Sequence, residues 1–198
     1  MALSFTSDIV LENERIRIRP LKPDDAHALL PIATDPSIWR YTPSKVASSE
    51  DLNKYIQRAL GERMLKSRYA FVIEDLHNQQ VYGSTSYLNY SPANYRIEIG
   101  HTWLGKAFQG KGINHAAKFL LFQYAFEALG IVRLELKTDV LNQQSRRAMQ
   151  KVGAVEEGIL RSHTVMHDGR RRDTIYYSIL VDEWEGIKRR VFQEIAYK

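Results

Sequence analysis

The chain has 198 residues, of which 44% are hydrophobic and 26% charged, proportions typical of a globular protein with one buried core. It contains no cysteine, which excludes disulfides, thiolate metal sites and cysteine catalysis. The net charge of +5 suits a polyanionic ligand or weak nucleic-acid binding without deciding between them. The opening residues lack a signal-peptide pattern and no apolar run reaches the ~18 residues of a membrane span, so we expect a cytoplasmic protein.

The first half of the chain alternates strand and helix patterns and then becomes strand-rich. Residues 15–21 (RIRIRPL) alternate apolar and basic side chains, a pattern that predicts an edge strand. Helices are predicted from Pro23 onward and over 48–60, where the serine at position 48 or 49 is the expected N-cap. Aromatic and β-branched residues then predict strands in the segments YAFVIED, QVYGSTSYLNY and YRIEIGHTWL.

Helices and strands alternate in the second half. A buried helix is predicted from about residue 115 to 129, a strand over 132–138, and a helix over 142–152 that ends at Gly153. Asp168-Gly169 separates two more strand patterns and indicates a hairpin, and a short amphipathic helix follows. This order predicts a mixed α/β (α+β) fold with one sheet.

The segment AFQGKGINHAAKF (107–119) sets Gly110, Lys111 and Gly112 before a helix, an arrangement that holds phosphate in several unrelated folds. A Walker A loop is disfavoured because Gly112 stands where a serine or threonine should bind magnesium. A Rossmann fingerprint is disfavoured because His115 replaces its third glycine. The pyrophosphate loop of acyl-CoA transferases, Gln/Arg-x-x-Gly-x-Gly/Ala, fits from Gln109 onward except at Asn114. Taken alone, the motif is equally compatible with a glycine-rich turn that binds nothing.

The wider chain resembles the GNAT superfamily, in particular its RimJ/RimL-type branch, named for N-terminal acetylation of ribosomal proteins. The similar segments are RIRIRPLKPDDAHAL, DPSIWRY, IEIGHTWLGKAFQGKGIN and LKTDVLNQQSRRAMQKVGAVEEGILR, which span nearly the whole length. The resemblance implies one GNAT-type domain over residues 1–198, with a central, splayed, mostly antiparallel sheet flanked by helices. It also implies an N-acetyltransferase that uses acetyl-CoA, by direct transfer in a ternary complex since no cysteine can carry the acetyl group.

The resemblance further implies where the cofactor binds. Backbone amides of the glycine loop would hold the pyrophosphate at a helix start. Free strand amides would pair with the pantetheine arm, and Asn142, itself a plausible N-cap, would bond that arm. The expected cofactor-binding residues are Thr102, Trp103, Leu104, Gln109, Gly110, Lys111, Gly112, Ile113, Asn114, Asn142 and Ser145.

Two residues are candidates for proton transfer. Glu98, a lone carboxylate between two isoleucines on a strand, is the expected general base, although it could instead brace a neighbouring strand or act through water. Many family members carry a tyrosine as general acid where this chain has Met149, and in the RimJ/RimL-type branch a serine matching Ser145 is the proposed acid.

The acceptor and its contacts are less constrained by the sequence. Trp39, Tyr41, Tyr87, His163 and Tyr177 are candidate walls of an acceptor groove, while core packing is the alternative for aromatic strand residues. The first expectation for the acceptor is a protein or peptide N-terminal amine, as in a ribosomal protein; amino acids, antibiotics and a non-catalytic acyl-CoA- or RNA-binding module are alternatives.

Other partners and sites are not expected. The consecutive arginines 170–172 are expected in a solvated turn, and no direct nucleic-acid contact or membrane association is predicted. The histidines lack metal-ligand spacing, so no metal is predicted. We expect a monomer or homodimer.

Overall fold

The computed structural model describes residues 2–196, and one eight-stranded sheet forms the centre of this part of the chain. Neighbouring strands are antiparallel except β5 and β6, which are parallel. The sheet order is β1-β2-β3-β4-β5-β6-β8-β7. The strands are β1 Leu11–Glu12, β2 Ile16–Pro20, β3 Arg68–Asp75, β4 Val81–Ser91, β5 Arg96–Leu104, β6 Arg133–Asp139, β7 Val155–Val165 and β8 Arg171–Leu180. The predicted mixed, mostly antiparallel fold is confirmed.

Helices cover both faces of the sheet. Ser48 caps the second helix by accepting a hydrogen bond from the Asp51 amide at 3.1 Å, as its sequence predicts. Within the described range, no helix is both long and apolar enough to cross a membrane. The helices are α1 Asp25–Ala33, α2 Ser49–Met64, α3 Ile113–Gln123 (continued by a π-helical turn, Tyr124–Ala128), α4 Gln143–Lys151, α5 Val181–Val191 and α6 Gln193–Ala196.

Strand β3 shows why the sheet is a central layer. Tyr69, Phe71 and Ile73 pack into an apolar cluster with α3 and α5, whereas Ala70 and Val72 pack into a second cluster with α1 and α2. Side chains of a strand point alternately to the two faces, so a continuous apolar run is buried on both. The two helical layers therefore lie on opposite sides of one sheet.

Two strand assignments from the sequence need correction. β2 is not an edge strand, because it pairs with β3 on one side and with the two-residue β1 on the other. β7 begins at Val155, six residues before the strand pattern RSHTVMH (161–167) that precedes the hairpin signal, and its exposed residues form one edge of the sheet. Two other signals of the second half are confirmed: Gly153 follows α4 with φ +89°, and Gly169 sits in the final hairpin with φ +84°. The solvated turn expected for arginines 170–172 is wrong for Arg172, which lies on β8 and is buried.

The parallel pair β5–β6 creates the main irregularity of the sheet. Its register ends at Glu98 and Glu135, although β5 continues to Leu104 and β6 to Asp139. Beyond Glu98 the two strands separate. Here β5 also carries a bulge toward β4, with His101 and Thr102 placed between two regular pairs. The separated strands leave a gap in the sheet, and the candidate site lies there.

Candidate active site

A cleft of about 1300 Å³ opens where β5 and β6 separate. Its walls are the glycine loop before α3, the first turns of α4, the loop around residues 37–44, and parts of β4, β5 and β8. The cleft therefore brings together segments from almost the whole length of the chain. Most of the predicted cofactor-binding residues line it, including Thr102, Trp103, Leu104, Gln109, Gly110, Gly112, Asn114, Asn142 and Ser145.

The glycine loop adopts a conformation that only glycine enters without strain. Gly110 and Gly112 have φ values of +73° and +78°. A Cβ added at Gly110 would meet no protein atom within 4 Å, so the space beside it is open. Arg15 fastens the loop from outside by donating from Nη2 to the Lys111 carbonyl at 3.1 Å. The amides at the start of α3 follow directly, and such amides favour a bound anion.

Two residues of the predicted cofactor loop do not line the cleft. The Lys111 side chain is exposed and the Ile113 side chain is buried in the core, and neither lines the cleft. Gln109 joins the loop to its surroundings, since its Nε2 donates to the Leu104 carbonyl at 3.0 Å and its Oε1 accepts from Gln144 at 3.2 Å. The loop is therefore tied to both β5 and α4.

The start of α4 faces the cleft. Asn142 is the N-cap, and its Oδ1 accepts a hydrogen bond from the Ser145 amide at 3.0 Å, so the predicted capping role is confirmed. The Ser145 hydroxyl makes no hydrogen bond to any residue in the range 2–196 and lines the cleft. Asn114 on α3 also lines the cleft, and its buried Oδ1 lacks a partner in the same range.

Glu98 lies at the point where the strands separate and is only 2% exposed. Its Oε2 accepts hydrogen bonds from Asn89 at 2.8 Å and from Lys137 at 2.9 Å. Its Oε1 is buried and has no partner among the residues described. A buried carboxylate oxygen without a partner costs free energy, and such oxygens commonly serve a ligand or an ordered water. Glu98 is one of the residues that line the cleft.

Lys118 on α3 reaches the same region from the opposite face of the sheet. It is 7% exposed, and its Nζ lies 3.3 Å from the Thr102 hydroxyl, which in turn lies 2.8 Å from that of Thr85. Burial lowers the pKa of Lys118 to about 7, while the negative charge of Glu98 acts in the opposite direction. Lys118 was not among the site residues expected from the sequence. The available signal was one lysine in a helix that is apolar nearly all round.

His101 occupies the β5 bulge with φ +47°, a conformation that side chains other than glycine rarely adopt. Desolvation by the surrounding cleft walls and then the nearby cations, Arg68 first, lower the pKa of His101 to about 3, although His101 is exposed by its accessible surface. Exposure to solvent weakens both effects, and their shared direction favours the neutral imidazole. Nothing in the sequence signalled this residue, because the bulge depends on pairing with β4. No set of three or more potential metal ligands occurs within the described part of the chain.

The five predicted groove aromatics divide into two groups. Trp39 and Tyr41 line the cleft, and Trp39 is anchored by its Nε1 donating to the Ala33 carbonyl at 2.7 Å. Tyr87, Tyr177 and His163 do not line it, which corrects their assignment. The two tyrosines point to the α3 side of the sheet, since adjacent strand residues face opposite ways and it is Leu88 that faces the cleft. His163 is exposed on β7 and contacts the Thr174 hydroxyl.

Known proteins resemble this chain in both sequence and fold. The family model described as acetyltransferase (GNAT) domain matches residues 15–155, a range that contains β5, the glycine loop and α4. YdaF of Bacillus subtilis (strain 168), provisionally named a ribosomal N-acetyltransferase, is 33% identical over 89% of this chain and 97% of its own length.

Solved structures agree with that match. A provisionally assigned acetyltransferase from T. thermophilus is 34% identical with a TM-score of 0.85, covering 93% of this chain and 96% of that one. A GCN5-related N-acetyltransferase from Brucella melitensis is 27% identical with a TM-score of 0.86, covering 94% and 85%. The chain belongs to the GNAT family of acetyltransferases.

Proposed function

We propose that the protein transfers the acetyl group of acetyl-CoA directly to a primary amine while both substrates occupy the cleft. The observation that carries this proposal is Glu98, a buried carboxylate with one unpartnered oxygen at the separation of β5 and β6. A base at this point meets both substrates if the donor binds along the glycine loop and the amine enters from the α1–α2 side. When bound, acetyl-CoA supplies the activated acetyl group.

The residues present fit the donor. Gly110 and Gly112 carry no side chains, and the open space beside Gly110 suits a diphosphate held by amides 110–114. Beyond Glu98 the edge of β5 that faces β6 has no pairing strand, so Thr102, Trp103 and Leu104 offer backbone groups to the pantetheine arm. The Asn142 amide group and the unpartnered Asn114 oxygen extend the same polar lining.

Glu98 is the general base in this proposal. An amine arrives protonated, since a lysine has a pKa of ~10.4 and an α-amine one of ~7.8. Lys137 and Asn89 hold the carboxylate through Oε2 and leave Oε1 to take the proton directly or through a water. An α-amine needs less help than a lysine, which favours an N-terminal amine as acceptor. The provisional name of YdaF, a ribosomal N-acetyltransferase, supports a protein acceptor.

Ser145 is the proposed donor of the proton that the departing thiolate takes up. Its hydroxyl lines the cleft without a hydrogen-bond partner in residues 2–196, and Asn142 fixes the backbone that carries it. Met149 also lines the cleft and has no proton to give.

The test is CoA release measured against a panel of peptides and small amines, with Glu98→Gln beside the wild type. General base catalysis typically contributes about 10²–10⁴-fold, so we expect Glu98→Gln to lower kcat by at least about 100-fold while acetyl-CoA still binds. Glu135→Gln is the matched control, because Glu135 is buried opposite Glu98 in β6, pairs with Arg133 at 2.8 Å and does not line the cleft.

Two results would contradict the proposal. If the wild type binds acetyl-CoA but no amine of the panel releases CoA, the protein is a binding module. If Glu98→Gln retains full turnover, the base lies elsewhere.

A further inference from the structure

Arg172 on β8 is a buried guanidinium without an ion-pair partner in the described range. It is 7% exposed, its Nε donates to the Thr174 hydroxyl at 3.0 Å, and its Nη1 donates to the Tyr41 carbonyl at 3.4 Å. No residue from 2 to 196 accepts a hydrogen bond from its Nη2, and this atom is not buried, so it is open to the cleft that Arg172 lines. A guanidinium stays charged in proteins, and a largely buried charge is stabilised by a counter-ion. An anion in the cleft could reach Nη2 and supply that counter-ion.

The neighbouring carboxylates do not serve as that anion. Asp139 forms its ion pair with Arg170, and Glu98 forms its pair with Lys137. Both act on Arg172 electrostatically, yet neither lies within ion-pair distance of it. Both carboxylates near Arg172 are therefore already paired with another cation, and the positive charge of Arg172 is left without a paired carboxylate.

Arg172 and a second arginine, Arg40, both contact Tyr41. The Arg40 guanidinium stacks over the Tyr41 ring at 5.3 Å, and Arg172 bonds the carbonyl of the same residue. All three residues line the cleft. Arg40 forms no ion pair with the residues described and is exposed. Two guanidinium groups are thus presented on the wall formed by loop 37–44 and β8.

The positions of the cations around the cleft indicate that Arg40 and Arg172 are not needed to neutralise the phosphates of the donor. Eight lysines and arginines line the cleft, against two glutamates. Lys106, Arg147 and Lys151 lie beside the glycine loop and on α4, where the phosphates of a CoA donor would need cations. Arg40 and Arg172 lie on other elements, so their anion has to come from the second substrate.

We propose that Arg172, assisted by Arg40, forms a carboxylate subsite, so that the acceptor is an amine that also carries a carboxylate. This inference rests on the proposed function and specifies its substrate class. A planar guanidinium matches a carboxylate through two parallel hydrogen bonds. The carboxylate belongs either to a free amino acid or to an acidic side chain near the N-terminus of a peptide.

Matched probes test the subsite and separate the two sources. The first pair is L-alanine and L-alaninamide; the second is the amidated peptides Ala-Asp-Asp-Ala and Ala-Asn-Asn-Ala. We expect the acidic member of one pair to have at least about tenfold higher kcat/KM for CoA release. A preference in the alanine pair identifies amino acids, and one in the peptide pair identifies acidic N-termini. Equal rates within both pairs would overturn the proposal.

Variants assign the preference to Arg172. Arg172→Gln should abolish the preference for the acidic probe, because turnover of that probe alone should slow. Arg172→Lys should restore part of the preference, and its activity would show that substitutions at this position still allow the protein to fold. Arg171→Gln is the control, because Arg171 is an exposed neighbour that bonds Ser162 and does not line the cleft. An unchanged preference in Arg172→Gln would refute the assignment.

A binding measurement keeps the test independent of turnover. The N-acetylated forms of the four probes are titrated onto the CoA complex and followed by calorimetry. In the wild type only the acidic product of one pair should bind. The same product should not bind to the CoA complex of Arg172→Gln. Equal binding within both pairs, or none at all, would overturn the subsite. Failure of the proposed function is distinct from this outcome, since it appears as the absence of CoA release with every amine tried.

Discussion

At the scale of single residues, the cleft is marked by polar groups that the fold buries without satisfying. Glu98 keeps a free oxygen, Lys118 is a desolvated amine, and Arg172 lacks a counter-ion among the described residues. Each arrangement lowers the stability of the folded chain. Local conflicts of this kind concentrate at functional sites, where a ligand supplies the missing partner. Their convergence on one cleft supports its assignment as the active site.

Lys118 gives the cleft a measurable dependence on pH. Its folded-state pKa is about 7, whereas the exposed amine of the unfolded chain has its ordinary value of 10.5. The unfolded state therefore holds a proton that the folded state has lost between those values, so the free energy of unfolding rises with pH across this window. Lys118→Met removes the effect. We expect the variant to gain most over the wild type below pH 7 and progressively less toward pH 10.

Urea unfolding of both proteins at pH 6, 8 and 9.5 measures this difference. Lys22→Met, at an exposed lysine, is the control and should show a difference that does not vary with pH. A constant difference for Lys118→Met as well would show that Lys118 is not desolvated.

At the scale of elements, features that depend on neighbouring residues in the sequence were predicted well, whereas features that depend on the pairing of distant strands were not. The Ser48 cap, the Gly153 helix end and the Asp168-Gly169 hairpin each depend on a few neighbouring residues, and all are confirmed. The two-residue β1 is too short to leave a pattern. The face of the sheet on which the Tyr87 side chain lies depends on the register of β4 with β3 and β5, which come from other parts of the sequence.

The glycine loop allows a test at the same scale. We expect Gly110→Ala to raise the Kd for acetyl-CoA by at least about tenfold, because the substitution strains a left-handed residue and places a methyl group in the open space where the proposed function puts the diphosphate. Gly130→Ala is the matched control. Gly130 has φ +66° and equal open space, yet does not line the cleft.

Both alanine variants should lose about 1–2 kcal/mol of stability from the backbone strain. Calorimetry of acetyl-CoA binding then distinguishes the two variants, and denaturation measures the loss of stability that they share. Equal affinity in the two variants would mean that the loop holds no phosphate.

At the scale of the whole molecule, the site exists because one short parallel pair, β5 and β6, is joined over only three register positions. The loop motif was recognisable from the sequence because its residues are contiguous, and Glu98 became a candidate because it is a lone carboxylate between two isoleucines. Lys118 and Arg172 were not, since they come from α3 and β8 and meet the cleft only after folding. The arginines of the hairpin were expected in a solvated turn, and the structure instead buries Arg172.

Hydrogen–deuterium exchange with and without acetyl-CoA tests most directly whether the gap between β5 and β6 holds the donor. We predict slower exchange at residues 99–104 and 110–114 when acetyl-CoA is present, and unchanged exchange in β2 and β3, which lie outside the gap. Protection confined to other segments, or none under saturating acetyl-CoA, would contradict this placement of the active site.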